Sequence, residues 1–303
     1  MANFNLKKGH NLKIAGEPKK VISASISAES VYLHPKDFLG IKPKLLVKQD
    51  DTVSVGSPIF FDKLNPDVKF VSPVSGIVSE IQFGERRVIE KIVIKNNGKS
   101  DTLKVDSVDL DKLSAEEFIS RLVESGLWPT IRQRPFSKIA NPIQTPRDIF
   151  VSVYSTAPFS PNNAFVLGGR EEDFQMGLDA LSKLTSGSIH LNMSGDESAP
   201  IFTQANNVHI NTFTGQHPAG NIGVQIHHIA PIASKDDVVW YLDAQSVADI
   251  GEFLRTGNYP TEKIITIGGS LIDEPTYVKI IKGTALNTIL DGKLNSNNNV
   301  RII

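Results

Sequence analysis

Two arginines one residue apart, Arg132 and Arg134, are interleaved with Trp128, Pro129, Pro135 and Phe136. Guanidinium groups set among large apolar side chains have the composition of a protein-interface anchor. A loop packed on its own domain is the alternative. A second candidate is Gly168-Gly169-Arg170, which precedes a helical pattern as a phosphate loop would. The residues that follow, Glu171, Glu172 and Asp173, complement the helix dipole themselves and would repel a pyrophosphate, so the segment reads as a strand-to-helix turn. Neither it nor Gly268-Gly269-Ser270 completes a dinucleotide or Walker pattern. The third candidate is rich in histidine: His217 in Gly215-Gln-His-Pro-Ala-Gly220, then His227 and His228. No pair of histidines spaced for one helix face is present, and adjacent residues on a strand point to opposite faces, so no metal site is assigned. The Gly-, Pro- and His-containing loop reads as a rigid turn at a sheet edge or an interface.

The elements that position these residues fall into three stretches. From Leu45 to Ile94, short β-rich runs alternate with Gly-, Asn-, Asp- and Pro-containing turns, which predicts a small barrel or sandwich. From Ser114 the period becomes helical: Ser114 and Glu117 form a capping box, Phe118, Ile119, Leu122 and Val123 make an apolar face, and Gly126 stands where a C′ glycine belongs. Trp128 to Asp148 reads as an extended excursion. Strands are expected at Ile149 to Tyr154, Ala164 to Leu167, Ile189 to Met193 and Val208 to Phe213, with a helix from Glu171 to Thr185. Such alternation predicts a parallel-type α/β sheet. Beyond Gly223, strands are expected at Gln225 to Ile232, Val238 to Leu242, Ile264 to Ile267 and Tyr277 to Ile281. Asp243 would cap a helix, and a short helix would run from Thr284 to Leu290. The only low-complexity tract is Asn295 to Asn299, and the apolar end at Arg301-Ile-Ile303 predicts a chain that stops inside a third module.

Composition bounds the chemistry further. The chain has 303 residues, 40% of them hydrophobic, and 32 Lys+Arg against 33 Asp+Glu, as expected of a globular protein. It has no cysteine, which excludes disulfides, thiolate-held zinc or iron–sulfur clusters and a cysteine nucleophile within these residues. No apolar signal region or membrane-length apolar run occurs, so the expected compartment is the cytoplasm. Charge is uneven. Residues 1–100 carry 16 Lys+Arg and 10 Asp+Glu, net +6, and residues 101–303 carry 16 and 23, net −7. A basic first third fits docking on an acidic surface or anionic lipid, or is simply a solvated face; nucleic acid is not expected, because no aromatic-interleaved basic stripe occurs.

The order Val47, Asp51-Thr-Val53, Gly56, Asp62-Lys63-Leu64, Val71-Ser-Pro73 and Gly76-Ile-Val78 is similar to biotinyl and lipoyl carrier domains. In those domains a modified lysine sits on a hairpin just before a Ser/Ala-Pro…Gly turn, and Lys63 stands at about that place. Here Leu64-Asn65-Pro66 follows and is expected to lengthen the loop. A structural barrel of this kind and a carrier lysine are both open.

The stretches Leu6-Lys-Lys-Gly9, Leu12-Lys-Ile-Ala-Gly16, Asp62-Lys63…Asn65-Pro66, Val68-Lys-Phe70, Ser75-Gly76, Gly84…Arg87-Val88 and Gly215 to Gly220 together resemble the A subunit of the bacterial sodium-translocating NADH:quinone oxidoreductase. The resemblance runs from Leu6 to the end. It implies an α/β protein, α+β overall: a lipoyl/biotinyl-like β-barrel with an N-terminal strand region over 1–100, and a Rossmann-like α/β domain over 101–222 completed by parts of 223–260. Residues 261–303 would begin an incomplete β-grasp module of the SLBB type. It also implies a peripheral protein on the cytoplasmic side of the inner membrane, docked on the membrane-embedded subunits, the B subunit in particular. There it would serve electron transport and sodium transport, with ubiquinone or menaquinone as a possible ligand and NADH and flavins on partner subunits.

Distant kinship with the flavin subunit of complex I and with the C subunit of Rnf complexes is implied as well. Those relatives carry a glycine-rich flavin loop where this chain has Glu124 to Phe136, and only Gly126 there fits such a loop. The expectation is therefore a fold without a flavin or cluster of its own, with Trp128, Arg132, Arg134, Phe136 and His217 as quinone or partner contacts. The alternative is a lipoyl-like carrier on Lys63 or a flavin/NADH-binding redox module.

Overall fold

A computed structural model describes residues 1–12, 14, 16–295 and 300–302. Of the Asn295–Asn299 tract only Asn295 lies among the described residues, as do Arg301 and Ile302 but not Ile303.

Two small antiparallel sheets share one core in the first hundred residues. The first holds β3 (Ser30–Leu33), β5 (Thr52–Val53), β8 (Gly76–Phe83) and β9 (Ile89–Asn96) in the order β3-β9-β8-β5. The second holds β4 (Pro43–Leu45), β6 (Pro58–Asp62) and β7 (Asn65–Val71) in the order β4-β6-β7. Val31, Ile59, Phe60, Phe70, Val78, Ile92 and Ile94 fill the space between them, and Phe60 stacks on Phe70 with centroids 4.4 Å apart. Strand alternation turns most apolar side chains inward, and an irregularity in the β6–β7 pairing lets the adjacent Ile59 and Phe60 both be buried. The β6–β7 turn is tighter than expected: Asp62 pairs with Asn65, leaving only Lys63 and Leu64 between strands. The buried Asp62 carboxylate accepts from the amides of Leu64 at 3.0 Å and Lys42 at 2.8 Å and so closes the turn.

Two strands from the expected barrel segment pair elsewhere. β1 (Ala2–Leu6) lies parallel to β14 (His209–Gly215), and β2 (Lys19–Ile26) lies parallel to β17 (Thr276–Ile281).

The second sheet system has seven strands. β12 (Ile149–Ser152), β13 (Ile189–Ser194), β14, β15 (Val239–Asp243) and β1 are parallel, while β10 (Arg132–Arg134) and β11 (Lys138–Ile139) form an antiparallel hairpin on the β15 edge. The order across the sheet is β1-β14-β13-β12-β15-β10-β11. The stretch expected to be extended from Trp128 thus adds two strands to the sheet. One face carries α3 (Glu171–Leu181) and α6 (Ala244–Thr256), packed on Ile149, Val151 and Leu242. The other carries α5 (Ile222–Ile229), packed on Phe150 and Val239.

α1 (Ala115–Ser125) begins as expected: Ser114 accepts from the Glu117 amide, and Gly126 ends the helix in the left-handed conformation. Two expected strands are helices. Ala164 to Leu167 falls on α2 (Asn163–Val166), because Asn162 accepts from the Phe165 amide as an N-cap. Gln225 to Ile232 falls largely on α5, because Ile222, Ile226 and Ile229 recur at i, i+4 and i+7 and meet a hydrophobic sheet face. Consequently Gly168-Gly169 follows a helix rather than a strand. α4 (Pro200–Thr203) bridges β13 and β14.

The third unit joins β16 (Glu262–Ile267), β17 and β2 in that order, with Ile267 and Val278 packed on Ile289 of α7 (Leu286–Leu290).

Candidate functional site

The parallel strands run outward from β12 to β13 and β14, then the chain crosses back on α5 to enter β15 on the other side of β12. In open α/β sheets a crevice forms at the carboxyl ends of the strands where the order reverses. Here that crevice has a volume of about 670 Å³. Ser152 and Asp243 close the ends of β12 and β15, Gly220 to Val224 supply the start of α5, and Arg132 and Arg134 line one wall.

The two arginines reach the same wall for a local reason. Residues i and i+2 of a strand share a face. In register, Arg132 pairs with Tyr241 and Arg134 with Val239, so both point to the α5 side, while Gln133 turns to the core face opposite Trp240. The Arg134 guanidinium lies 5.3 Å from the centroid of the Tyr241 ring, and one Arg132 amino group donates to the Ser137 carbonyl. Ser137 and Tyr241 are hydroxyl to hydroxyl at 2.6 Å. Among the described residues neither arginine has an acidic side chain within ion-pair distance, and both Nε atoms are buried without a hydrogen-bond partner.

Asp243 is the one carboxylate in the lining. It caps α6 through the Ser246 amide at 2.9 Å and lies 3.6 Å from Lys263. Desolvation by the surrounding protein pushes its carboxyl up even though the side chain is half open to solvent, but Lys263, the two hydrogen bonds from Ser246 and the more distant Lys282 outweigh it and hold the group below the usual aspartate range. Its charge is therefore already matched by groups other than the arginines. Tyr154 borders the crevice; burial, with Asp196 nearby, raises its phenol above the ordinary value.

The remaining expected contacts separate. Trp128 is wholly buried, its Nε1 donating to the Ala140 carbonyl at 2.8 Å, which places it in the core of its own domain. Phe136 sits at the tip of the β10–β11 hairpin, 69% exposed, with φ of 76°. His217 lies in an adjoining cleft of about 400 Å³, separated from the main crevice by Tyr154 and Ser155, which line both. Its Nδ1 is 3.0 Å from the Thr156 hydroxyl, its amide donates to Asn11 Oδ1 at 2.8 Å, and its carbonyl accepts from the His10 amide at 2.9 Å. The His-Pro-Ala-Gly turn is thereby braced between the N-terminal arm and the loop after β12. Lys63 is exposed on its two-residue turn in the barrel.

His227 and His228 are neighbours on α5, not on a strand, and His228 Nδ1 is 2.8 Å from the Val224 carbonyl. Among the described residues no three His, Asp or Glu side chains gather to hold a metal. The Gly169 amide, just ahead of α3, donates to Glu171 Oε1 at 3.1 Å, and Arg170 at the N-cap makes no side-chain cap. Sequence reasoning missed Tyr241, Lys263 and the start of α5. The usable signal was Gly220-Asn221-Ile222-Gly223, an N-cap residue between glycines that opens an i, i+4, i+7 apolar pattern.

Comparison with known proteins assigns the chain as a whole. Residues 4–97 match the family model "NqrA N-terminal barrel-sandwich hybrid domain", and residues 113–259 match "NqrA second alpha/beta domain". Curated relatives named as the A subunit of a Na(+)-translocating NADH-quinone reductase include that of Rhodopirellula baltica, 35% identical over 302 residues, or 98% of this chain and 66% of the relative. That of Shewanella amazonensis is 37% identical over 293 residues, 96% of this chain and 65% of the relative. That of Haemophilus influenzae PittEE is 35% identical over 299 residues, 98% and 66%. The chain thus spans just under two thirds of the length of these relatives. With two domain models matched in chain order and this identity over nearly every residue, the chain belongs to the NqrA family, the A subunits of Na(+)-translocating NADH-quinone reductases.

Proposed function

We propose that this chain is a peripheral component of a sodium-translocating NADH:quinone reductase, on the cytoplasmic side of a bacterial inner membrane. There it serves quinone reduction coupled to sodium export. It acts by docking on the membrane-embedded subunits, the B subunit in particular, while NADH and flavins are handled by partner subunits. The observation that carries this reading is the consecutive match of both NqrA domain models to the barrel and the α/β sheet. No helix among the described residues is long and apolar enough to cross a membrane, so contact with membrane partners would be made through surfaces.

Two further observations support it. Where kindred flavin subunits carry a glycine-rich loop, this chain turns its side chains into the core: Leu127, Trp128 and Ile131 are fully buried. A Cβ on Gly126 would meet Val71 at 2.7 Å, so that backbone faces protein and not a ligand. These residues do not fit a flavin, and no step is derived through one. The β10–β11 hairpin also presents Phe136 to solvent on left-handed backbone at Phe136 and Ser137, a strained, exposed aromatic of the kind that interfaces retain. In this reading the parallel strands of 101–260 form a Rossmann-like domain, and β16, β17 and α7 begin a β-grasp module.

The test is co-purification. A full-length protein containing this chain, expressed with the other pump subunits, is expected in the assembled complex, and a photo-crosslinker at Phe136 is expected to label one of the membrane-embedded subunits. Absence from the assembled complex would overturn the reading.

A further inference from the structure

The crevice at the strand reversal carries a charge pattern that docking does not explain. Its lining holds Arg132, Arg134 and Lys263 against the single carboxylate of Asp243, which is already engaged by Lys263 and Ser246. Burying guanidinium Nε atoms without partners is costly, and native proteins retain such atoms where a ligand completes them. Arg132 spends one donor on the Ser137 carbonyl; Arg134 makes no side-chain hydrogen bond among the described residues and is held only by the face of Tyr241. Two forks on one strand face, aimed into a concave site, match the oxygens of a phosphate in charge and geometry.

The backbone adds donors from the opposite wall. α5 starts at Ile222 behind Asn221, whose side chain makes no cap, so the first amides of the helix are left to the crevice and its dipole end is positive there. Gly223 leaves this end open: a Cβ placed on it would stand 4.0 Å from Arg134 Nη2 with nothing nearer. Gly220 allows the approach itself, because a Cβ there would lie 2.4 Å from the Thr156 amide. Beside this polar corner the lining becomes apolar and aromatic, with Tyr154, Tyr241, Leu242, Pro161 and Ile222, and the volume of about 670 Å³ is that of a site for a nucleotide-sized molecule.

We infer that this crevice binds an organic phosphate of nucleotide size, with the phosphate held by Arg132, Arg134 and the first amides of α5 and the body laid against Tyr241 and Ile222. The inference concerns the chain by itself, so its failure would leave family membership and docking untouched.

The probes are ADP, glycerol 3-phosphate and inorganic phosphate, titrated into the chain and followed by calorimetry and by amide shifts of Ile222 and Gly223. Saturable ADP binding is expected, weakening with added salt, with the two smaller anions binding at least roughly tenfold less tightly because they leave the apolar wall uncovered. Arg132→Gln and Arg134→Gln are each expected to weaken ADP by roughly tenfold or more, the usual effect of losing a charge-assisted hydrogen bond. Lys99→Gln, a distant exposed lysine, removes the same charge without effect. Gly223→Val blocks the crevice while leaving both arginines in place, and it tests the site if an arginine variant fails to fold. No saturable ADP binding overturns the proposal, as do arginine and Gly223 variants that bind like the parent. Inorganic phosphate as tight as ADP overturns the assignment of an organic ligand. Tighter binding of glycerol 3-phosphate than of ADP points to a lipid headgroup and overturns the nucleotide-sized class.

Discussion

The indoles of Trp128 and Trp240 meet edge to face with centroids 5.4 Å apart and planes at 85°. Both are fully buried, and Trp128 anchors the following turn through its bond to Ala140. Replacing Trp128 by alanine opens a cavity and orphans the Ala140 carbonyl, and is expected to cost roughly 3–5 kcal/mol. Chemical denaturation measures this directly. Unchanged stability with lost partner binding would instead make Trp128 a contact residue.

A glycine sets the end of α1. Gly126 has φ of 78° and packs where a Cβ would meet Val71 at 2.7 Å. Gly126→Ala combines left-handed strain with overpacking against β7 and is expected to destabilise by about 2–4 kcal/mol. A melting temperature equal to that of the parent would show that the junction yields.

Acid stability should depend on His190. Burial holds its imidazole below the ordinary value of 6.5 even though Asp148 lies 3.7 Å away and favours the charged form. The unfolded chain takes up a proton near pH 6.5 and the folded one does not, so the stability present above pH 6.5 falls as the pH drops from there toward the lower folded value. The slope contributed by one such proton is at most about 1.4 kcal/mol per pH unit. His190→Asn is expected to flatten the profile of denaturation midpoint against pH between about 5 and 7. An unaltered slope would refute the assignment.

Asp249 joins three elements by charge. It accepts from Arg170 at 2.9 Å and from Lys282 at 2.8 Å, which links the start of α3 and the end of β17 to α6. Asp249→Ala leaves two cations half-buried or deeper without their shared partner, and a loss of roughly 3–5 kcal/mol is expected. Asp249→Asn, which keeps the shape and one acceptor, should lose less. Equal losses for the two would show that the charge alone, and neither shape nor the remaining acceptor, is at stake.

Local chemistry was legible where a signal lies within a few residues. Ser114 with Glu117 and Gly126, or Asp243 with Ser246, mark helix ends because a cap and its target amide are three residues apart. The barrel strands were legible because turn residues punctuate an alternating pattern. Residues 222–229 were not: Val224 and Ile226 lie two apart as on a strand, Ile222, Ile226 and Ile229 lie four and three apart as on a helix, and only the apolar face offered by Phe150 and Val239 selects the helix. The pairing of Ala2–Leu6 with His209–Gly215 was invisible for another reason, since a parallel partner some 200 residues away leaves no local trace.

The sequence by itself determined the family, the exclusion of cysteine chemistry and the interest of Trp128 to Phe136. Those follow from residue type and order alone. Tertiary structure decided how that segment is divided. Strand alternation and pairing with β15 turn Arg132 and Arg134 toward the crevice, the preceding turn sends Trp128 into the core against Trp240, and the hairpin tip leaves Phe136 in solvent. Four residues of one motif thus acquire three environments, because the direction of a side chain depends on the partner strand and the helix that covers it.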